Sequence, residues 1–550
     1  MKTLGRWLMI PMAALAAACG DQAGSPTLNA PAGGRGQLSD GAHGGTPGFY
    51  FLPPMLPQPT TSGTFDDNLS PKVKVCVPQG SGCGSTVAEW TMTSGTDAER
   101  VELKSSQSHY LVNWDTKSYS VSVGDTMRIA VFVGTTKLGH ADVVLIENGS
   151  AARTVDTNEY IPLIDGRTLP IKFRIETGIP AALTVTPATA SIVAGSTQQY
   201  TATVTDLHGA TLSGYTFTWN SSNTAVAKVS STGLAKGLDS GTVTITASAG
   251  GMSGTAQLSV SLRQWTAAVT GTDQGNGGIW GSSATNVYAA NWVGVMHYDG
   301  TSWGLLNDLM WHTSLDVYGF GANDVWVVGA GGRILRYNGT TWTNQRYDGD
   351  SVFAHPLNDW ESLARNIYLR GVWGSSTNDV FAVGDSGTVL HWNGSAWSRM
   401  SSGTTAELHR VWGVSSSNVY ATGVGGTLLH YDGSSWSTVS VPTTEPLERI
   451  WGSSASDVYV GGANATLLHY NGSAWSTITT PINPVYTIFT VWGTAANNVY
   501  IGGSGGQVYR WDGADWIHED SGQPAQITGM WGPSGTDVFA SAAGGNVTRR

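Results

Sequence analysis

The residues best suited to chemistry lie in one stretch of an otherwise charge-poor chain, RYDGDSVFAHPLNDWESLARN. It gathers Asp348, Asp350, His355, Asp359, Trp360 and Glu361, while Trp311 and His312 stand in a smaller irregular stretch, Asn307-Asp308-Leu309-Met310-Trp311-His312. Carboxylates beside an imidazole and indoles suit a sugar or a cation, so these eight residues are the candidate ligand rim. They also fit a loop that merely decorates a scaffold. No two of the acids can be placed at the separation of a retaining or inverting pair. A polysaccharide hydrolase or lyase working through loop 343–370 is therefore the alternative, and no catalytic residue is assigned.

Two further sets of chemically able residues recur with a period. His297, Arg336, His391, His430, His469, Arg510 and Arg549 occupy equivalent places about 40 residues apart. They form either a cationic ring near an acidic ligand or a set of cations each paired with an acid of a neighbouring unit, such as Asp324, Asp379 or Asp457. That spacing is too wide for histidines to share one metal ion, and no metal or cofactor is expected. The second set is aromatic-Gly, with the aromatic at Trp280, Phe320, Trp373, Trp412, Trp451, Trp492 and Trp531, spaced 40, 53, 39, 39, 41 and 39. What every repeat shares is usually scaffold, so these rings are read as core between units rather than as sugar platforms.

The elements that must position these residues are short strands. A typical unit reads VWGSSTNDVFAVGDSGTVLHWNGSAW, with alternating apolar residues and an [Asn/Asp]-Gly-x-x-Trp turn. Four strands per unit cannot bury both faces, but a ring of seven units can. The closing tryptophan occurs in register at Trp303, Trp342, Trp397, Trp436, Trp475 and Trp516, and the last unit stops before its own. Trp265 precedes Trp280 by 15 residues, the interval found between Trp397 and Trp412. Residues 263–270 are thus predicted to supply the outer strand of the last unit beside residues 543–550, and to remove an open sheet edge. The 53-residue spacing puts about 14 extra residues in a loop between outermost and innermost strands, where ligands usually bind.

The remaining chain divides by composition. Residues 1–19 carry Lys2 and Arg6, then the apolar stretch Trp7–Ala18, too short to span a bilayer and therefore a signal peptide. Leu15-Ala16-Ala17-Ala18-Cys19 resembles a bacterial lipobox, which implies lipidation at Cys19. Residues 20–45 form a Gly/Ala/Ser/Pro-rich tether. Residues 46–178 hold at least six alternating segments, KVKVCV and RIAVFV among them, and are predicted to form a β-sandwich. Cys76 and Cys83 bracket a Pro/Gly loop and are expected to form a disulfide after export.

Residues 180–262 contain Trp219, Ser221, Ser222, Asn223, Val226, Ala227, Val229, Gly233, Ala235, Gly237, Gly241, Thr244, Ile245 and Ala247 in a pattern that resembles the group 2 bacterial immunoglobulin-like domain. The resemblance implies a second β-sandwich, with Trp219 as its large core residue, used as a spacer. Residues 263–550 resemble the bacterial propeller repeats grouped loosely with kelch, BNR-type and photosystem-assembly-factor propellers. The sialidase Asp-box is absent, and the cysteine needed by a copper radical oxidase is missing. The expected fold is all-β: two sandwiches, then a seven-bladed β-propeller closed by an N-terminal strand.

Composition narrows the function. Charged residues make up 12% of the chain and the formal net charge is −11, without a basic run in the mature part. Such a surface repels nucleic acid and anionic headgroups, so no nucleic-acid partner is expected and membrane contact rests on the lipid alone. The leading reading is a non-catalytic lipoprotein of the cell envelope, on the outer membrane or cell surface, whose propeller binds a glycan or an envelope or extracellular protein. An envelope assembly or scaffolding factor is a third reading.

Overall fold

A computed structural model describes residues 37–155, 157, 159–268, 275–306, 313–345 and 367–550. Two compact units arise, Met1–Leu183 with Thr203–Tyr215 and Thr184–Ala202 with Thr216–Arg550. In the first, strict alternation drives two sheets together. The strand Thr168–Ile175 buries every second side chain, and Phe49, Trp90, Trp114 and Phe173 are fully buried in the common core.

The disulfide between Cys76 and Cys83 is present, and its loop is held from inside by a residue the sequence did not single out. Arg128 donates from Nη1 to the carbonyls of Gly80 and Gly82 at 2.9 and 3.0 Å, and from Nε and Nη2 to Asp142 at 2.7 and 2.9 Å. Both charged side chains are 1% exposed, so the bidentate pairing offsets the desolvation that either ion alone would suffer. The stretch Thr203–Tyr215 packs on the same core through Leu207, and His208 Nε2 meets Asp66 Oδ2 at 2.6 Å.

In the second unit the Ig-like stretch places Thr189–Val193 parallel to Met252–Ser261, which pairs in turn with Gly241–Ala249. Its fully buried large side chain is Tyr200, whereas Trp219 is only half-buried. The expectation for Trp219 is corrected on physical grounds. The indole lies across Gly233, where a Cβ would stand 2.8 Å from the ring, so it covers a turn at one flank of the core.

Among the described residues seven sheets follow, each with an antiparallel core, here called blades 1 to 7. Their innermost strands are Asn276–Ser283, Ser314–Gly321, Leu369–Ser376, Leu408–Ser415, Leu447–Ser454, Ile488–Ala495 and Ile527–Ser534. The aromatic-Gly pair is the ratchet between blades. A Cβ on Gly319 would stand 2.6 Å from the Trp280 ring, one on Gly413 2.9 Å from Trp373, and one on Gly452 2.6 Å from Trp412. Trp531 bears on Gly281 in the same way, which brings blade 7 against blade 1 and closes the ring. Glycine is required there because each indole occupies the space of its neighbour's side chain.

One assignment changes. In blade 2 the equivalent of Trp280 is Tyr318, which pairs with Trp326 as Trp280 pairs with Tyr288. Phe320 stands two residues later and instead covers Gly374 of blade 3.

The predicted clasp is present. Thr266 faces Arg549, Ala267 faces Thr548 and Ala268 faces Val547, antiparallel, as the outermost strand of blade 7. Trp265 thereby takes the closing-tryptophan position, 5% exposed and edge-on to Tyr500 at 6.3 Å. Glu519, 1% exposed, ties the ends together. It accepts from Trp265 Nε1 at 2.9 Å, Arg550 Nε at 2.7 Å and Arg510 Nε at 3.2 Å. Just ahead, Arg263–Gln264 runs parallel to Glu519–Asp520 as a fifth strand on blade 6. The Ig-like sheets fasten to that blade through Lys236, which reaches Asp512 at 2.6 Å and Asp515 at 2.9 Å, and through His518 Nδ1, 2.7 Å from Asp239.

Candidate functional site

The sequence-predicted rim residues Asp348, Asp350, His355, Asp359, Trp360, Glu361, Trp311 and His312, like Cys19, lie outside the described residues. Their flanking strands are described. Trp342–Asn344 ends and Leu369–Ser376 begins on either side of one segment, and Trp303–Leu305 and Ser314–Gly321 flank the other. Both segments therefore rejoin the ring where innermost strands start, at what is here the loop mouth of the axial channel. The turn mouth is the opposite end, where innermost strands turn into second strands.

The ring of basic residues belongs to neither mouth, and its pairing is corrected. Each cation binds an acid or amide of its own blade, 11 or 12 residues earlier on the adjacent strand, and not one of a neighbouring blade. His391 Nε2 meets Asp379 at 2.6 Å, His469 meets Asp457 at 2.7 Å, and Arg336 Nε meets Asp324 at 2.9 Å. His297 and His430 meet Asn286 and Asn418 at 2.6 and 2.9 Å, and Arg549 meets Asp537 at 2.7 Å. Arg510 departs, turning to Glu519 of the clasp. The four histidines lie against the aromatic of the second strand, as His391 does on Phe381 with ring centroids 4.5 Å apart. Burial lowers the pKa of His297 and His430. Apart from Arg336 Nη2, which also reaches Thr377 Oγ1 of blade 3 at 2.7 Å, these groups are spent inside their blades.

The channel itself holds the unspent chemistry. The positions two residues before each aromatic line the axis: Gly278, Asp316, Gly371, Arg410, Arg449, Thr490 and Gly529. Three are glycines and three are charged, and the Asp316 carboxylate stands where a side chain at Gly278 would lie. Asp316 of blade 2 accepts from Val372 N at 3.1 Å and from Arg449 Nη1 of blade 5 at 3.5 Å, with Arg410 Nε of blade 4 at 4.0 Å. Arg449 Nη2 also donates to the Thr528 carbonyl of blade 7 at 2.7 Å. Burial, then the neighbouring Arg410 charge, lower the Arg449 pKa to about 10, although Asp316 pulls it up. This bridge across the axis forms a waist with a cavity on each side, and Arg410 lines both.

At the loop mouth a cavity of about 200 Å³ is lined by Trp292, Arg370, His409, Glu448 and Phe489, among others. Arg370 Nε lies 2.7 Å from Asp385 and 3.0 Å from Glu407. His409 reaches Glu407 through Nε2 at 3.2 Å and Glu448 through Nδ1 at 3.0 Å. Burial would raise the Glu448 carboxyl, but the His409 hydrogen bond, with Arg410 and Arg370 nearby, brings it below its ordinary value. Trp292 is 57% exposed beside this network. The equivalent turns of other blades carry Gly331-Gly332, Gly425-Gly426 or Gly505-Gly506. Sequence reasoning missed Trp292, Asp316, Arg370, Arg410, Glu448 and Arg449. The available signal was a charge or indole standing where the other repeats have a small or apolar residue.

At the turn mouth a cavity of about 730 Å³ is walled by Trp280, Tyr318, Trp373, Trp412, Trp451, Trp492 and Trp531, with Asp316, Arg410 and Arg449 at its floor. The rings pack between blades as expected and in addition form this wall. All but the more deeply buried Trp373 are half-buried.

Known proteins resemble parts of this chain. Ice-binding protein 1 of Shewanella frigidimarina (strain NCIMB 400) is 42% identical over 81 residues, which cover 14% of this chain and 9% of that protein. The chain thus spans under a tenth of that relative. Two solved structures superpose on 52% of the chain, both with a TM-score of 0.42. "YCF48 bound to D1 peptide" is 14% identical with 94% of it covered, and YCF48 from Cyanidioschyzon merolae is 17% identical with 98% covered. Residues 181–260 match the family of bacterial Ig-like domains of group 2.

Proposed function

We propose that this chain is an exported binding protein held at the cell envelope by lipid on Cys19, with the propeller as its binding head and the loop mouth as its docking site. A glycan or an envelope or extracellular protein is the ligand, and no catalytic step is assigned. One observation carries the reading. Several features that break the repeat lie together at one mouth: exposed Trp292, the Arg370–Glu407–His409–Glu448 network, and the ends of both irregular segments. Packing explains what every blade shares, whereas an indole more than half exposed in one blade contributes little to it. The Cys76–Cys83 disulfide suits an oxidising compartment.

Glycan-array and envelope-extract binding by the full chain, beside a turnover screen on the arrayed polysaccharides, tests this reading. Binding that falls at least about tenfold with Trp292→Ala or Arg370→Gln is expected, in line with the loss of a central contact. Turnover of any substrate, or binding indifferent to both substitutions, overturns it.

A further inference from the structure

The indole-walled vestibule at the turn mouth has no role in the binding reading above, yet it is the larger cavity, about 730 Å³. That volume falls within the range of small-molecule sites, about 300–1,000 Å³. We propose that it is a second binding site, one that takes the terminal unit of an acidic carbohydrate and seats its carboxylate or sulfate against Arg410 and Arg449.

Charge at the floor supports the anion. Two guanidiniums face one carboxylate, Asp316, at 3.5 and 4.0 Å, distances too long for the tight fork that an Arg–carboxylate pair adopts. Among the described residues the Nε donors of Arg410 and Arg449 are buried without an acceptor. An unmet donor on a charged group costs more than a neutral one. Arg449 Nη2 is committed to Thr528 and Arg410 Nη1 to the carbonyls of Arg370 and His409, so both side chains are anchored at one edge. An anion entering from the vestibule supplies acceptors to the other edge and neutralises the surplus charge. The acids Glu407 and Glu448 supply no acceptor there, because their hydrogen bonds go to His409 and Arg370 beyond the waist, and Glu448 reaches the two guanidiniums only through its field.

Geometry supports a chain end. The Asp316–Arg449 bridge joins blade 2 to blade 5 across the axis, so the vestibule is blind and a polymer cannot thread it. The walls support a sugar. Indole rings from six blades offer surfaces for the C–H faces of a pyranose, and the hydroxyls of Ser375 and Ser453 at the rim can meet its own hydroxyls. Those two serines already donate to Asp379 and Asp457, which leaves their oxygens as acceptors.

Titrating the full chain with glucuronic acid, glucose 6-sulfate and glucose at constant ionic strength, read by tryptophan fluorescence and calorimetry, tests the assignment. The carboxylate and sulfate arms distinguish the two sources of negative charge. At least one anionic sugar is expected to bind at least about tenfold more tightly than glucose, the size of one charged hydrogen bond. Arg410→Gln should abolish that preference and Asp316→Asn should strengthen it, so two substitutions of opposite sign guard against a variant that misfolds. The anionic preference should persist in Trp292→Ala, which removes the loop-mouth indole, and its loss in that variant would assign the sugar to the other mouth and overturn the proposal. Equal binding of glucose and both anionic sugars overturns the proposal. So does acetate that binds as tightly as glucuronic acid, or a peptide carboxylate that binds more tightly than either sugar.

Discussion

Replacing Trp265 with alanine should unfasten the propeller. The side chain is 5% exposed and packs against Tyr500, Val508, Ile527, Met530 and Val538, so its loss opens a cavity between blades 6 and 7. Truncating a buried tryptophan costs about 3–5 kcal/mol. Its Nε1 also leaves Glu519, a buried carboxylate that keeps Arg510 and Arg550 but loses one of three donors. Removing one such bond adds about 1 kcal/mol. A total of about 4–6 kcal/mol translates into a fall of about 10 °C in the melting temperature of a ring this size.

Differential scanning calorimetry of the full chain reads the effect as a downward shift of the propeller transition alone, with the first unit unmoved. Trp265→Phe keeps most of the apolar contact and loses the N–H, so it should fall between the two. Deleting 263–270 should be worse than either, because it also removes the pairing of Thr266–Ala268 with Val547–Arg549. A shift below about 2 °C for Trp265→Ala would refute the reasoning, since a closed ring without a clasp would then be as stable as one with it.

Other outcomes follow from single contacts. Gly413→Ala puts a methyl 2.9 Å from Trp373 and 2.7 Å from the Asn418 carbonyl, so it should cost about 2 kcal/mol, while Gly304→Ala, with nothing within 4 Å, should be near neutral; urea midpoints compare them. Burial, then Lys137 and Arg128, lower the His140 pKa from 6.5 to about 4. The unfolded chain therefore binds the extra proton between those values, and the first unit should lose up to about 3 kcal/mol as pH falls from 6.5 towards 4. Amide exchange at Val131 and Ala141 should report that loss, and His140→Gln should flatten it. Cys19→Ala should move the protein from the membrane fraction to the soluble exported fraction on fractionation.

Much of the scaffold was legible because it is written many times. The indole over the next blade's glycine recurs around the ring, and a missing closing tryptophan at one end with a spare one at the other specified the clasp and its register. Errors arose where local pattern was ambiguous. The string VYGFG holds two aromatic-Gly pairs two residues apart, and strand alternation allows either, so only the pairing of Tyr318 with Trp326 decides. Trp219 was judged by size, but the absence of a side chain at Gly233 gives it a place at the flank and leaves the centre to Tyr200. The basic ring was read across blades although its partners lie in the same hairpin, where adjacent antiparallel strands put residues 12 apart side by side.

The channel was hidden for a different reason. Asp316 and Arg449 lie 133 residues apart, and nothing in either repeat marks them as neighbours until the ring closes. Once it closes, a residue that breaks the repeat near the start of an innermost strand lies at the axis or its mouth, because the innermost strands surround the axis. Arg370, His409, Arg410, Glu448 and Arg449 all occupy such positions, as does Asp316. Repetition thus fixes where the axis lies, and each departure from repetition places chemistry on it. The charges that a sevenfold scaffold does not need are the ones it holds at its centre.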